Sequence, residues 1–313
     1  CSRASLGILM GKIYQKRRGR SWLLRKQSIS SWQNWLKILK KYNQKLEIEK
    51  PLFQLTTDTN KFERLKNFVI NNPNDNLKVL EKDSNLLKNV QNIFKENEIR
   101  GIVSYDDGRI NPTQLLNTIN IYLKKNNVEQ INEEIIKIQK ERNHWVAVTG
   151  SGEEIYPQVI ILCNSLNVQK LIDLKKFDIK LRPVLGQGIE LLCKDELVDF
   201  SLLPKIFSIN GKNLIPVNSK QIIIGSTDEI SFTPKKEKIK DLLRILENNP
   251  SWLTGKNIIY TWHGIRSMPE GEPSPILRSL DKGLIICTGF YKNGILLSPA
   301  CAKWLKNEIF KHI

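Results

Sequence analysis

Arg266 lies in the string WHGIRSMP, residues 262–269. A guanidinium is the side chain best suited to hold a carboxylate, through two parallel charge-assisted hydrogen bonds. The competing reading is a surface arginine that follows a buried tryptophan, because exposed arginines are the norm. A second stretch, Gly283 to Ala302 (GLIICTGFYKNGILLSPACA), has the form strand, glycine turn, helix. Leu284–Cys287 is a short apolar run of buried-strand type. Gly294 opens an apolar segment that continues as a C-terminal helix, in which Pro299 is tolerable only near the first turn. Such a turn offers backbone N–H groups and the positive end of a helix dipole to an electron-rich ligand. An ordinary strand-to-helix connection would look the same. Asp106 and Asp107 could serve as acid/base carboxylates, but Asp-Gly is a strong turn signal and the turn reading is preferred. His144, His263 and His312 are scattered and show no metal spacing. No catalytic side chain and no metal ligand is assigned.

These residues must be carried by a sizeable scaffold. The chain has 313 residues, of which 40% are hydrophobic, enough for one large or two modest domains. No run of 18 uncharged apolar residues is present, so no membrane span is expected. The net charge of +17 would suit nucleic acid, but the lysines are spread along the whole chain among Asn and Ile. That pattern is a compositional bias more than a focused patch, so nucleic acid is an open partner and not the favoured one. Cys1, Cys163, Cys193, Cys287 and Cys301 show no paired spacing, and the expectation is a reducing compartment, the cytoplasm, without disulfide or zinc.

In chain order, a helix is predicted over roughly Ser21–Leu46, with Trp22, Leu24, Ile29, Trp32, Trp35, Leu36, Leu39 and Tyr42 on a core-facing stripe. A strand comes next at Pro51–Thr57, then a helix over Asn60–Ile70 capped by Thr59. Later come a short helix at Asp83–Leu87, a strand at Gly101–Tyr105 and a helix opened by Asn111-Pro112. Three short strands form a meander between Ile135 and Pro157, turning at Gly150–Gly152. Val159–Cys163 is fully apolar, as in a parallel sheet covered on both faces. Thr233-Pro234 caps a helix running to Leu246. The chain begins at Cys1, inside what reads as a packed segment, without the charged and apolar regions of a signal peptide.

The Gly283–Ala302 string resembles the C-terminal flavin segment of the D-amino-acid oxidase superfamily, commonly GH(F/Y)RNGILLAPAT, and is nearest to its glycine oxidase branch. Other motifs recur in the same order. CSRASLGILMG (1–11) is similar to the family's loop beside the flavin, and YDDGRINPTQLL (105–116) to its DDG-x-(V/I)-x-P-x-x-L motif. LRPVLGQGIELL (181–192), NLIP (213–216), IIIGSTDE (222–229) and WHGIRSMP are similar to strands of its substrate domain and active site.

The resemblance implies an α/β (α+β mixed) fold. A Rossmann-like FAD-binding domain at 1–50, 102–178 and 256–313 would interleave with an antiparallel-sheet substrate domain at 51–101 and 179–255. It implies FAD as cofactor, held by Cys1, Ser2, Leu6, Gly7, Ile8, Ile135, Phe290, Tyr291, Lys292, Asn293, Gly294, Ile295 and Leu296. Arg266, Lys292 and Asn213 would contact substrate. The implied reaction is oxidation of a small amine or amino acid to the imine, with dioxygen reoxidising the flavin to give hydrogen peroxide. The alternatives are an oxidase-like domain that demodifies an aminomethyl group on tRNA, and a basic binding protein without catalysis. The family's first βαβ unit, with its GxGxxG turn, is not found in the sequence. About 40 residues are therefore expected to be missing, leaving an unpaired apolar sheet edge and a fragment that binds FAD poorly and is inactive alone. Four departures bear on the assignment. Lys292 stands for a usual Arg and loses the fork. Asn213 stands for a Tyr, Phe290 for a His, and NSLN (164–167) for (A/T)GAWS.

Overall fold

The computed structural model describes residues 2–142 and 144–312. The chain divides into two compact units. Among the described residues six α-helices run in order: α1 Gly19–Lys40, α2 Thr59–Ile70, α3 Lys88–Phe94, α4 Pro112–Lys125, α5 Lys236–Leu243 and α6 Gly294–Ile309.

The first unit comprises residues 1–17, 47–112 and 185–264. It is built on an eight-stranded mixed sheet. Its centre is the antiparallel set Leu181–Leu192, Gln221–Gly225, Lys212–Pro216 and Ile206–Ile209. Ile206–Ile209 then pairs in parallel with Leu52–Thr56. One face buries Phe94, Phe200, Phe207 and Trp252, whose rings meet edge to face at 4.9–6.2 Å. Full burial of each such side chain stabilises by about 1.5–3 kcal/mol. The indole N–H of Trp252 is satisfied by donation to the Ile93 carbonyl at 3.0 Å.

The second unit comprises residues 18–46, 113–184 and 265–313. Ile160–Leu162 pairs in parallel with Leu284–Thr288, which pairs antiparallel with Ile276–Asp281. The meander of Ile135–Glu141, His144–Thr149 and Glu154–Ile155 packs on this sheet through Ile138 and Trp145, against Leu162, Leu284 and Ile286. Leu284–Thr288 is buried throughout, as its apolar run predicts. Ile160 and Ile161 are only half-buried and Cys163 is exposed, so the expected two-sided cover of Val159–Cys163 does not hold. The reason is its place: among the described residues it is an edge strand with one neighbour, an apolar edge of the expected kind.

The borders of the compact units differ from the expected domains. Residues 1–17 and 102–112 cluster with the large sheet, because Ile8–Leu9 and Ile48–Glu49 flank Gly108–Ile110 in a small antiparallel sheet. Element ends also differ where side chains compete for backbone groups. α1 stops at Lys40, short of Leu46, where Asn43 accepts from the Lys45 N–H and donates to Thr118. Asp58, and not Thr59, caps α2 by accepting from the Lys61 N–H at 2.9 Å. The helix foreseen over Asp83–Leu87 is a 3-10 turn at Asn85–Leu87 leading into α3. α5 is shorter than foreseen, and its N-cap is Lys235 instead of Thr233. Pro299 lies inside α6, beyond its first turn. A proline there leaves the Ile295 carbonyl without its helical donor, and Ser298 Oγ donates to that oxygen at 2.9 Å.

The departure at NSLN has a visible cost. Ser165 adopts φ +59°, a left-handed conformation that glycine takes freely and other residues take at about 1–2 kcal/mol. Glycine loses more backbone entropy on folding, which returns part of that gain. Ser165→Gly is therefore expected to stabilise the protein by roughly 0.5 kcal/mol, raising Tm by about 1–2 °C. Calorimetry checks this, and an unchanged or lower Tm would count against the conformation described.

Candidate functional site

The buried strand Leu284–Thr288 delivers the chain to Gly289, at φ +69°. A Cβ there would stand 2.8 Å from Pro269 Cγ, so only glycine fits this turn. Ser267 anchors the loop that leads on to α6. Its Oγ accepts from the Gly289 N–H at 3.1 Å, and its carbonyl accepts from the Tyr291 N–H at 3.0 Å. Tyr291 itself has φ +51°, so the loop is held in a conformation that its sequence does not favour. Phe290 is half-buried, and Lys292 is exposed with its Nζ 5.1 Å from the Tyr291 ring centroid. Asn293 is the N-cap of α6, and its carbonyl accepts from the Leu297 N–H at 2.9 Å. Gly294 is the first helical residue. A Cβ placed on it would meet only Phe290 Cβ, at 3.8 Å, so its backbone borders open space.

The structure thus brings Phe290–Leu296 together at one helix N-terminus. Arg266 is joined to them through its neighbour Ser267, and is itself half-buried. Strand alternation puts the Arg266 side chain on the opposite face from Ser267, so one residue anchors the loop while the other presents a positive charge. Ile135 begins the meander, opposite Thr149, and no described contact ties it to this loop.

In the first unit, residues 2–13 are stitched down by side chains distant in sequence. Trp262 Nε1 donates to the Ala4 carbonyl at 3.0 Å. Arg109 Nε donates to the Leu6 carbonyl at 2.9 Å, while its NH1 bonds Glu49 at 2.8 Å. Gly7 lies against Ile110, and Ile8 pairs with Arg109. Asp107, 1% exposed, accepts the backbone N–H groups of Gly11, Lys12 and Ile13 at 2.6–2.8 Å. Burial lifts its carboxyl above the ordinary range, and the three N–H donors work against that rise. Asp107 anchors a loop distant in sequence and does not serve its own turn, as the turn reading expected it to; residues 105–106 form only a bend before the strand at Gly108. Gly188 and Trp262 meet so closely that a Cβ on the glycine would lie 2.5 Å from the indole. Asn213 sits mid-strand, half-buried, between Ser208 and Gly225 in register. His263 is exposed on the strand Ile258–Pro269. Cys1 lies outside the described residues.

Sequence reasoning missed Ser267 and Arg25. Ser267 stands beside Arg266 in the quoted string, yet a lone serine carries no signal of its own. Among the described residues no group of three or more His, Cys, Asp or Glu could hold a metal ion. No helix among them is long and apolar enough to cross a membrane.

Two observations now coincide: a mixed α/β fold with a parallel strand pair, and a glycine-lined helix N-terminus at the end of one of those strands. Such a combination defines the class of α/β proteins that bind a ligand or cofactor at the carboxyl ends of their strands. The family of FAD-dependent oxidoreductases matches residues 1–307, and the chain belongs to it. Glycine oxidase of Pseudomonas aeruginosa is 31% identical over 172 residues, 53% of this chain and 45% of that protein. Glycine oxidase of Pseudomonas putida is 29% identical over 127 residues, 39% of this chain and 33% of that protein. The matched stretches thus span a third to less than half of these relatives. The crystal structure of glycine oxidase from Bacillus cereus superposes with a TM-score of 0.80 at 21% identity, covering 99% of this chain and 87% of that one. That likeness is one of fold.

Proposed function

We propose that this chain serves the FAD-dependent oxidation of a small amine or amino acid to the imine, with dioxygen as electron acceptor and hydrogen peroxide as product. The observation that carries the reading is the α6 N-terminus, open beside Gly294 and tied through Ser267 to the strand that bears Arg266.

The residues fit the cofactor. A Cβ on Gly294 would fill the space that its bare backbone leaves beside the helix end. Phe290–Leu296 are assigned to hold it, with Ile135 given the adenine end by resemblance. FAD, when bound, accepts the hydride equivalent that no side chain can take. The N–H groups at the start of α6 and the helix dipole favour negative charge placed before them. Arg266 is assigned to the substrate carboxylate. Lys292 adds positive charge without a fork, so the preferred amine is expected to differ from glycine. The expected domain roles go with the same assignment. Buried thiols at Cys193, Cys287 and Cys301 suit a reducing setting such as the cytoplasm.

The full-length protein is expected to purify yellow and to release hydrogen peroxide from one of a panel of small amino acids, sarcosine and primary amines. Peroxidase-coupled oxygen consumption checks this. A flavin-loaded protein that bleaches with none of the panel would reject the substrate class, and a colourless one would reject the cofactor assignment.

A further inference from the structure

We propose that Arg25, on α1, sets the positive field of the loop that opens α6, and with it the affinity of that site for negative charge. The inference rests on the functional reading that this loop receives the flavin. Arg25 is 5% exposed, and its guanidinium donates to Asn293 Oδ1 at 2.8 Å. Asn293 is the N-cap of α6, yet its side chain makes no cap hydrogen bond to the helix. Its oxygen is turned to Arg25 instead. Further along the same face of α1, Ser28 Oγ accepts from the Ala300 N–H at 3.3 Å. Trp32 Nε1 then donates to the Leu296 carbonyl at 3.1 Å. Positions 25, 28 and 32 fall on one side of a helix, so α1 grips the opening turns of α6 by polar contacts in a row.

Packing alone does not call for an arginine here. Taking a guanidinium out of water is costly, and an apolar side chain of similar length would join two helices without that cost. What the arginine adds is charge in a place where solvent and salt screen it little. A helix N-terminus is worth about half a positive charge. A fixed guanidinium beside it adds a full positive charge to that end. Lys292 is also near, but it is exposed and therefore screened. Arg25 is thus a positioning residue: its bond to Asn293 fixes the guanidinium beside the helix end, and its charge acts on that end through space.

The test uses the full-length, FAD-loaded protein with Arg25→Gln and Arg25→Lys. Glutamine keeps an N–H donor for Asn293 but loses the charge; lysine keeps the charge. The readout is titration with sulfite, which adds to oxidised flavin, bleaches its visible band and leaves negative charge on the ring. Arg25→Gln is expected to weaken sulfite binding about tenfold or more, and Arg25→Lys by less than about threefold. The proposal is overturned if a folded, flavin-loaded Arg25→Gln protein binds sulfite like the wild type. It is overturned equally if the lysine variant is as weak as the glutamine one, since Arg25 would then act by shape alone. Should Arg25→Gln not take up flavin, the lysine variant decides: retained affinity supports the proposal, and lost affinity rejects it. A wild-type protein that takes up no flavin removes the functional reading and this inference together, before any Arg25 substitution is made.

Discussion

Replacing Gly7 with alanine is expected to destabilise the protein by at least about 3 kcal/mol. Gly7 has φ +74°, and a Cβ there would lie 1.9 Å from the Ile110 carbonyl oxygen. The obstacle is backbone, so no rotamer change can relieve it. The two segments would have to part, and three contacts would go with them. The Ile110 N–H donates to the Gly7 carbonyl at 3.0 Å, Ile8 pairs with Arg109, and Arg109 Nε reaches the Leu6 carbonyl. Gly152 supplies the control. It also has a positive φ, +89°, but a Cβ there meets nothing within 4 Å. Gly152→Ala should cost only the conformational strain, about 1 kcal/mol. Urea unfolding of both variants measures the difference. Equal losses would mean that residues 6–8 are not seated against 109–110 as described.

That contrast also shows what the sequence could and could not convey. Both glycines look alike in a string of letters, because φ and neighbours are set by partners far along the chain. The same holds for Asp107. The Asp-Gly pair signals a change of direction, which is present as a bend at residues 105–106, but the three N–H donors to Asp107 lie 94–96 positions away. By contrast, the Leu284–Thr288 strand, the Gly289 turn and α6 were legible because every cue is local: an apolar run, a glycine, a helix start. The stripe on α1 was legible too, as Leu24, Trp32 and Leu39 are buried. Arg25 was not. It lies one residue from Leu24 in a strongly basic stretch, where nothing in composition separates a buried arginine from a solvated one. The edge position of Ile160–Leu162 was partly legible: an apolar run says that a strand prefers cover, while the number of its neighbours is a property of topology.

Arg266 carries the largest expected effect on function. Arg266→Lys in the full-length protein should raise KM for carboxylate-bearing amines, and Arg266→Ala should raise it further. Loss of a charge-assisted bidentate contact costs on the order of 1.5–3 kcal/mol, or roughly 10- to 150-fold. Lysine retains the charge but presents a point donor in place of the planar fork, so it should recover part of that loss. The position supports the assignment in a specific way. Arg266 is held beside Ser267, whose hydroxyl and carbonyl are both committed to residues 289 and 291. The backbone that bears Arg266 cannot shift relative to the loop without breaking those bonds. The decisive comparison pairs a carboxylate-bearing substrate with a neutral amine of similar size. Arg266→Ala should penalise the first and leave the second within about twofold, since a contact absent from the substrate cannot be lost. A parallel fall for both amines, with Tm unchanged, would reject the carboxylate role. A parallel fall accompanied by a lower Tm would instead assign Arg266 to holding the strand that anchors the loop.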